Sequence, residues 1–327
     1  MKSTILIRSK SLMGGFRRLL LLAFLLFGGL ANAQHKTEFV FYDGAPLNIM
    51  KIMQSNTKAV FDVINDSYYS KRSGLQLSSG NRLTSDAIGR LQALWSSSSF
   101  YCIKTDVLQT VLKMPNEKGW QVRNIPVFFK EGDSDEDKYQ DIVIEFTPSG
   151  VISDVYIAIP LHQYESVMKM GATVTDLRRR QLILGFVEDF RTAYNRKDIN
   201  YLNQVFSRDA LIITGKALKS SGDGLPTTVK TVQNKEQYMA NLRRAFANNK
   251  YINIKFSEIE VTQPYEKDYV YCVTLVQDWN SSTYSDKGYL FLIIDFRNEV
   301  EPQIWVRAWD PYDTPARDRT DESEFVI

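Results

Sequence analysis

The spacing of apolar residues changes from helical to strand-like twice along this chain of 327 residues. Apolar side chains recur every three or four positions over 46–69 and again over 175–194, which is the spacing of a helix with one buried face. They then alternate with polar side chains in much of 100–159 and of 252–309, which is the period of a half-buried strand. This repeated order predicts an α+β fold of two tandem modules, each with helices packed on a curved antiparallel sheet.

The first 33 residues have the order of a secretory signal peptide. Basic residues without any acid precede an apolar run over 19–30, and the small residues Ala31-Asn32-Ala33 follow. The apolar run is shorter than the roughly 20 residues that a membrane-spanning helix needs. We therefore expect export to the periplasm or the extracellular space, cleavage of the leader, and no stable membrane span after processing.

Changes in composition divide the rest of the chain. They place an N-terminal α+β module at 34–165, a connector at 166–174, a second module at 175–310 and a charged C-terminal tail at 311–327. The mature chain is long enough for two cores at about 100–150 residues per domain.

The charge balance argues against nucleic acid as a partner. The chain has 40 Lys and Arg and 38 Asp and Glu, but five of the basic residues lie in the leader, so the mature chain is slightly acidic. The densest basic group, Arg178-Arg179-Arg180, is typical of the solvated start of a helix. A dense basic stripe, which phosphate binding requires, is not found in the sequence.

Local signals mark element boundaries in both modules. Thr84 or Ser85 is expected to cap a second helix in the first module. Pro126 lacks an amide hydrogen, so its strand should be an edge strand or bulged. In the second module Asn234 and Gln237 form a capping-box pattern, and a change of phase predicts a bulge near Ser257-Glu258.

The two cysteines, Cys102 and Cys272, lie in strand-like runs, one in each module. Cysteine is often buried as a free thiol. The alternatives are two buried thiols or one disulfide between the modules.

The start of the second module encodes a helix, a short turn, a second helix and a strand in close succession. The residues that carry this pattern are Phe190-Arg191-Thr192-Ala193-Tyr194-Asn195-Arg196-Lys197-Asp198, Leu202 and Val205-Phe206-Ser207-Arg208-Asp209-Ala210. The pattern resembles the nuclear-transport-factor-2-like superfamily, which includes ketosteroid isomerase-like and polyketide-cyclase-like proteins. The resemblance covers 175–310 and implies a cone-like, cystatin-like fold whose mouth holds ligands. The first module has a similar plan and is interpreted as a divergent copy.

Catalytic members of that superfamily place an acid, a tyrosine or a histidine in the cone. The second module contains no histidine, so histidine-based chemistry is excluded there. Asp278 with Tyr194 or Tyr271 is the arrangement that could act as a general base. The alternative is that Asp278 ends a strand and that the tyrosines pack in the core.

The last predicted strand carries aromatic and charged residues at every second position. Alternation places Gln303, Trp305, Arg307 and Trp309 on one face, and Trp279 of a neighbouring strand could join them. Tryptophans around an arginine suit a sugar, a planar ligand or a protein hot spot. The alternative is burial of this face against the first module.

No cofactor or metal motif is found in the sequence. The acidic loop at 133–137 resembles a calcium loop, but Lys138 and Ile144 occupy the positions that need glycine and a bidentate glutamate. A solvated turn is therefore expected, with no cofactor and no metal.

Two functions follow from these features. The first is an exported, non-catalytic binding or scaffold protein of the bacterial cell envelope, whose partner is a protein, a glycan or a small molecule, with homo-oligomers possible. The second is a small-molecule isomerase or lyase that uses the cone cavity of the second module.

Overall fold

The computed structural model describes residues 35–78, 80, 82–132, 134–169, 174–218, 227–264 and 267–325. The expected leader lies outside these residues. Within the described ranges, no helix is long and apolar enough to cross a membrane.

The first module consists of a helix pair and a six-stranded sheet. Its helices are α1 (Leu47–Tyr69), α2 (Ser85–Ser97) and the single turn α3 (Asp135–Lys138). Its strands are β1 (Glu38–Tyr42), β2 (Phe100–Cys102), β3 (Asp106–Lys113), β4 (Trp120–Phe129), β5 (Tyr139–Phe146) and β6 (Ile152–Ile157). The side chain of Thr84 caps α2 by accepting a hydrogen bond from the backbone of Ala87, which confirms the predicted start of that helix.

The first sheet has the order β1-β3-β4-β5-β6, and β2 also pairs with β4. Strand β1, which the sequence did not predict, runs parallel to β3. Strand β4 is central, so the expectation of an edge strand at Pro126 is wrong. The bulge alternative is confirmed, because the β4–β5 register shifts between Val122 and Ile125, and Asn124 has a φ of 58°.

The second module begins after helix α4 (Leu161–Lys169), which occupies part of the predicted connector. It contains α5 (Leu177–Asn195), α6 (Ile199–Val205) and α7 (Lys235–Asn248). Its strands are β7 (Phe206–Leu218), β8 (Thr227–Gln233), β9 (Ile252–Thr262), β10 (Val270–Ser281), β11 (Ser285–Asp295) and β12 (Gln303–Pro311). The Asn234–Gln237 capping box at α7 is confirmed.

The second sheet has the order β8-β7-β12-β11-β10-β9 and is antiparallel except between β7 and β12. The register of β9 and β10 shifts where Glu258 has a φ of 52°, which confirms the predicted bulge. The two sheets therefore differ in strand order, although both modules pack helices on a six-stranded sheet and give an α+β fold.

The described part of the tail follows the outer face of the second sheet. The ring of Phe325 stacks on Phe291 with centroids 5.8 Å apart. The backbone N–H of Thr320 donates to Asp310 at 2.8 Å, and the ammonium group of Lys230 donates to the Thr320 hydroxyl. This face is thus partly covered by the chain's own C-terminal segment.

Helix α5 joins the two modules by binding the free edge of β6. The backbone N–H of Ile157 donates to the Thr192 hydroxyl at 3.0 Å, and that of Ile159, just beyond the strand, donates to Glu188 at 2.8 Å. The guanidinium of Arg191 donates to the carbonyl of Ala158 at 2.7 Å. Because an unpaired strand edge must find partners, these side chains complete the edge and fix α5 beside the first sheet.

Candidate functional site

A cleft of about 650 Å³ lies between the outer face of the first sheet and the helices α5 and α6. The first module contributes residues of α2, β4, β5 and β6, and the second contributes residues of α5, α6 and the β11–β12 turn. Gly185 on α5 leaves room in this space, since a Cβ atom built there meets no atom within 4 Å. The volume is within the range of small-molecule sites in proteins.

Two acidic residues of the cleft lining face each other across the β5–β6 hairpin. Glu145 and Asp154 are directly opposed in the sheet register. Their neighbours Ile144 and Val155 point to the other face and belong to the core beneath α1 and α2. Strand alternation therefore turns both carboxyl groups toward the second module.

Asp154 is neutralised by two arginines. Arg90 of α2 and Arg196 at the end of α5 both form ion pairs with its carboxylate, and the Arg196 pair measures 3.1 Å. Only 4% of Asp154 is exposed. The Arg196 pair is shielded from water, whereas the Arg90 side chain is partly exposed. Arg196 also donates to the carbonyl of Val155, which ties this charge to the β6 edge.

Asp189 of α5 also lines the cleft, but its carboxylate is not paired. Its Oδ1 atom is shielded from solvent and has no hydrogen-bond partner among the described residues. Burial raises the pKa of Asp189 well above its usual range, and the nearby Asp154 and Glu145 carboxylates raise it further against the opposing charges of Arg196 and Arg90. A buried acceptor without a donor is costly, so this oxygen is poised for a ligand that donates.

Glu145 is a second carboxyl group in the cleft whose pKa is shifted toward neutral pH. Its Oε1 atom accepts from the Tyr156 hydroxyl at 3.0 Å and from the Gln121 amide at 3.4 Å. Burial raises the pKa of Glu145 from 4.5 to about 7, and the Asp154 carboxylate acts in the same direction. Glu145 can therefore exchange a proton near physiological pH.

Three further acids line the cleft. Asp86 and Glu301 are exposed, and Glu299 forms ion pairs with Arg178 and Arg179. Arg180, the third member of the basic run, is only 7% exposed, so the expectation that all three are solvated is wrong for this residue.

The interior of the second module, where the resemblance placed ligands, is filled by aromatic side chains. The hydroxyl groups of Tyr194 and Tyr238 are 2.7 Å apart. The guanidinium carbon of Arg307 lies 5.2 Å from the centroid of the Tyr238 ring. Phe190, Phe206 and other core residues pack around them. Burial raises the pKa of Tyr194 well above its usual range, so this phenol is neutral.

The structure does not bring the predicted catalytic residues together. Trp279 packs against the inner core, so alternation places its neighbour Asp278 on the opposite face of β10. The Asp278 carboxylate accepts from the Asn280 amide at 3.3 Å. The Tyr271 hydroxyl donates to the backbone carbonyl of Asp268, and Tyr194 donates to or accepts from Tyr238.

The predicted aromatic face of the last strand is split by a bulge. The β11–β12 register shifts so that Ile293 faces Val306 and Ile294 faces Ile304, which leaves Trp305 without a counterpart. Trp305 packs with the outer cluster of the sheet, whereas Trp309 belongs to the inner core. The expectation that these side chains share one face is wrong for Trp305.

Arg307, Trp309 and Trp279 lie on the inner side of the second module. Trp309 is 7% exposed and Arg307 is 6% exposed. Trp279 is partly buried, packs on the same inner core and makes an edge contact with Tyr194. The alternative of burial against the first module is therefore wrong for these three residues, because their own module covers them.

Both cysteines are buried free thiols, so the disulfide alternative is wrong. The thiol of Cys102 lies 3.7 Å from the carbonyl of Lys104. Burial raises the pKa of Cys272 to about 12, and the nearby Glu322 adds to this effect. Neither thiol is suited to nucleophilic chemistry at neutral pH.

The acidic loop contributes to the contact between modules. Asp137 of α3 accepts a hydrogen bond from the Ser134 hydroxyl and forms an ion pair with Lys255 of the second module. Asp133 lies outside the described residues. Within the described ranges, no group of three or more His, Cys, Asp or Glu side chains is arranged to hold a metal ion.

Sequence reasoning missed the acids of the cleft, although a signal was present. Glu145 interrupts an apolar strand between Ile144 and Phe146, and Asp154 stands one position before Val155 in the facing strand. A charged residue at an outward position of a buried hairpin indicates a partner on that face. The partner helix could not be identified from the sequence because it belongs to the other module.

No family model matches this chain, and no curated protein matches it. Similar solved structures include Bdellovibrio bacteriovorus Bd1075, at 17% identity over 44% of each chain with a TM-score of 0.33. They also include a protein of the NTF2-like family from Streptomyces avermitilis, at 13% identity over 38% of this chain and 89% of that one with a TM-score of 0.29. An NTF-2 like protein of unknown function from Shewanella oneidensis matches at 14% identity over 39% and 96% with a TM-score of 0.29.

The match spans less than half of the Bdellovibrio protein. All three TM-scores are below 0.5. The comparison therefore shows only that the similar structures include NTF2-like proteins. They carry no argument about activity.

Proposed function

We propose that this chain is an exported, non-catalytic binding protein of the bacterial cell envelope and that its ligand site is the cleft between the two modules. We also propose that 175–310 form a nuclear-transport-factor-2-like domain and that the first module is a diverged copy. The order α5, α6, β7, β8, α7 and β9–β12 supports the first of these assignments. The helix pair on a six-stranded sheet supports the second.

The observation that carries the binding proposal is the unpartnered Asp189 oxygen in the wall of a 650 Å³ cleft. Inside the second module the hydroxyl groups of Tyr194 and Tyr238 contact each other, and the unpartnered Arg307 Nε and Trp309 Nε1 atoms lie among packed core side chains. Since a ligand needs open space as well as a polar group without a partner, the cleft is the better site.

One observation favours the alternative of an isomerase or lyase. A carboxyl group with a pKa of about 7, as in Glu145, is suited to general acid–base chemistry near neutral pH. In this alternative the isomerase or lyase reaction takes place in the cleft, which Glu145 lines, and not in the cone of the second module. Conversion of a cleft ligand, followed by NMR and lost in Glu145→Gln at ligand concentrations that saturate the variant, would establish it.

A substitution that fills the cleft tests the binding proposal. Gly185→Leu places a side chain in the open space of the cleft, and the loss of a helical glycine should leave α5 at least as stable. Gly89→Leu is the matched control, because Gly89 is also helical with open space at its Cβ but does not line the cleft.

The measurement is thermal stabilisation of the three proteins by a library of chemically diverse metabolites. We expect compounds that stabilise the wild-type chain and Gly89→Leu to lose their effect on Gly185→Leu. If every stabilising compound acts equally on Gly185→Leu, the cleft is not the binding site.

A further inference from the structure

We propose that the cleft binds an aliphatic amine with ammonium groups at both ends, such as a polyamine. The inference rests on the proposed binding function of the cleft and specifies the class of ligand.

The first reason is the charge of the lining. Six acidic side chains and two basic ones, Arg90 and Lys118, line the cleft. The acids are Asp86, Glu145, Asp154, Asp189, Glu299 and Glu301. Arginines neutralise Asp154 and Glu299, but none of the remaining four forms an ion pair with a described residue. Because the pKa values of Glu145 and Asp189 are raised, these two groups attract a cation by releasing their protons to solvent. The exposed Asp86 and Glu301 attract it directly.

The second reason is the difference in exposure among the four remaining acids. Burial raises the pKa of Asp189 and Glu145, the inner acids, and the Oδ1 atom of Asp189 is shielded and has no donor among the described residues. Asp86 and Glu301, the outer acids, are exposed. An ammonium group carries three donors and no acceptor, so one such group fits the inner acids and a second fits the outer acids.

The third reason is the apolar wall of the cleft. It includes Met114, Pro115, Leu182, Phe186, Val205 and Phe296. These apolar side chains suit the methylene chain of an amine, which gains by leaving water. A compact metal ion would leave this wall unused.

The inner carboxyl groups should lose protons when the cation binds. The pKa of Glu145 is raised by burial and by Asp154. That of Asp189 is raised by burial and by Asp154 and Glu145, against Arg196 and Arg90. The hydroxyl groups of Tyr156 and Tyr201 lie near Glu145 and Asp189, respectively. Both phenols are neutral, because burial raises the pKa of each well above its usual range. An ammonium group favours the ionised carboxylates, so binding should strengthen as pH rises through about 7 and should release protons.

The experiment is isothermal titration of the full chain with spermidine in buffers of different ionisation enthalpy. We expect binding with proton release, at least about tenfold weaker affinity in Asp189→Asn and in Glu145→Gln, and loss of binding in Gly185→Leu. Gly89→Leu should bind as the wild-type chain does. A diol and a dicarboxylate of similar length are the neutral and anionic probes.

The outcomes separate this inference from the proposed function. If spermidine does not bind, while other compounds stabilise the chain in a way that Gly185→Leu abolishes, the polyamine inference fails and the binding function stands. If spermidine binds the variants as well as the wild-type chain, it binds only the acidic surface and the inference fails. If the diol binds as well as spermidine, recognition depends on hydroxyl groups and the inference also fails. Circular dichroism of both carboxyl variants checks that a loss of binding is not a loss of fold.

Discussion

Glu145 shows how a position on a strand decides the chemistry of a carboxyl group. The same side chain on the loop before β5 would be solvated, whereas at the outward position next to Phe146 it faces another module. Directly opposite lies Asp154, and two like charges across a strand pair disfavour each other. Arg90 and Arg196 offset this repulsion for Asp154 but not for Glu145, so Glu145 keeps its proton up to a pH of about 7.

Glu145→Gln should stabilise the protein at alkaline pH and not at acid pH. The folded chain retains a proton that the unfolded chain has already lost, so this group makes stability fall as pH rises from 4.5 to about 7. The variant removes that penalty, by up to about 3 kcal/mol at about pH 8, and differs little from the wild-type chain at about pH 4. Urea denaturation of both proteins across this range measures the difference, and a difference independent of pH would contradict the account.

At this scale the sequence indicated the wrong residues for a clear reason. Asp278 and Trp279 are adjacent, and alternation alone places them on opposite faces of β10. The acids of the cleft come from α5 and from a hairpin of the other module, more than 30 positions away in sequence. Sequence spacing does not show which faces of two modules meet.

Helix α5 is the element on which the architecture depends. One side of it forms the core of the second module with Phe190 and Val187. The other side binds the first sheet through Glu188, which forms two hydrogen bonds of 2.9 and 2.5 Å with Arg123 of β4. Glu188 is 0% exposed, so this pair is shielded from water on all sides.

Glu188→Gln should destabilise the protein by about 3–5 kcal/mol, because it leaves the Arg123 guanidinium buried without a counter-charge. The matched control is Glu165→Gln, which removes an exposed pair with Lys169 and should cost at most about 0.5 kcal/mol. Chemical denaturation of the two variants at neutral pH tests this. Equal losses in the two variants would show that the contact between modules contributes no more than a surface ion pair.

Gly288 of β11 provides a test of the second sheet's packing. A Cβ atom there would lie 2.4 Å from the carbonyl oxygen of Asp310 and 2.5 Å from the Trp309 ring. Gly288→Ala should therefore destabilise the protein by about 1–3 kcal/mol, whereas Gly89→Ala on an exposed helix face should stabilise it by about 0.5–1 kcal/mol. Thermal melts of both variants give the two signs, and stabilisation by Gly288→Ala would contradict the close packing described here.

The elements themselves could largely be predicted, whereas their bulges could be predicted only in part. The change of phase near Glu258 was visible because apolar residues on both sides of it mark the buried face. The bulge at Trp305 left no such trace, because tryptophan packs on either face of a sheet and Arg307, two positions later, fitted the expected alternation. Strand β1 was missed because it is short and pairs with a strand far along the chain.

The molecule has two main hydrophobic cores, one in each module, and a polar interface joins the modules. The buried Arg123–Glu188 pair, the completed β6 edge and the Asp137–Lys255 pair all cross it. Arg191 adds three hydrogen bonds to carbonyl and amide oxygens on both sides, and burial lowers its pKa to about 10. Separating the modules would expose all of these groups at once.

The two modules should therefore unfold together. We expect differential scanning calorimetry to show one transition whose van't Hoff and calorimetric enthalpies agree. Two resolved transitions would show that the interface contributes little to stability and that the cleft walls move independently.

The most direct test of the cleft as the ligand site is a crystal structure of the protein soaked with a library of small fragments. The account predicts that fragments bind beside Gly185 and Asp189, with a donor group on the Asp189 carboxylate. Fragments bound inside the second module among Tyr194, Tyr238 and Arg307, with an empty cleft, would contradict it.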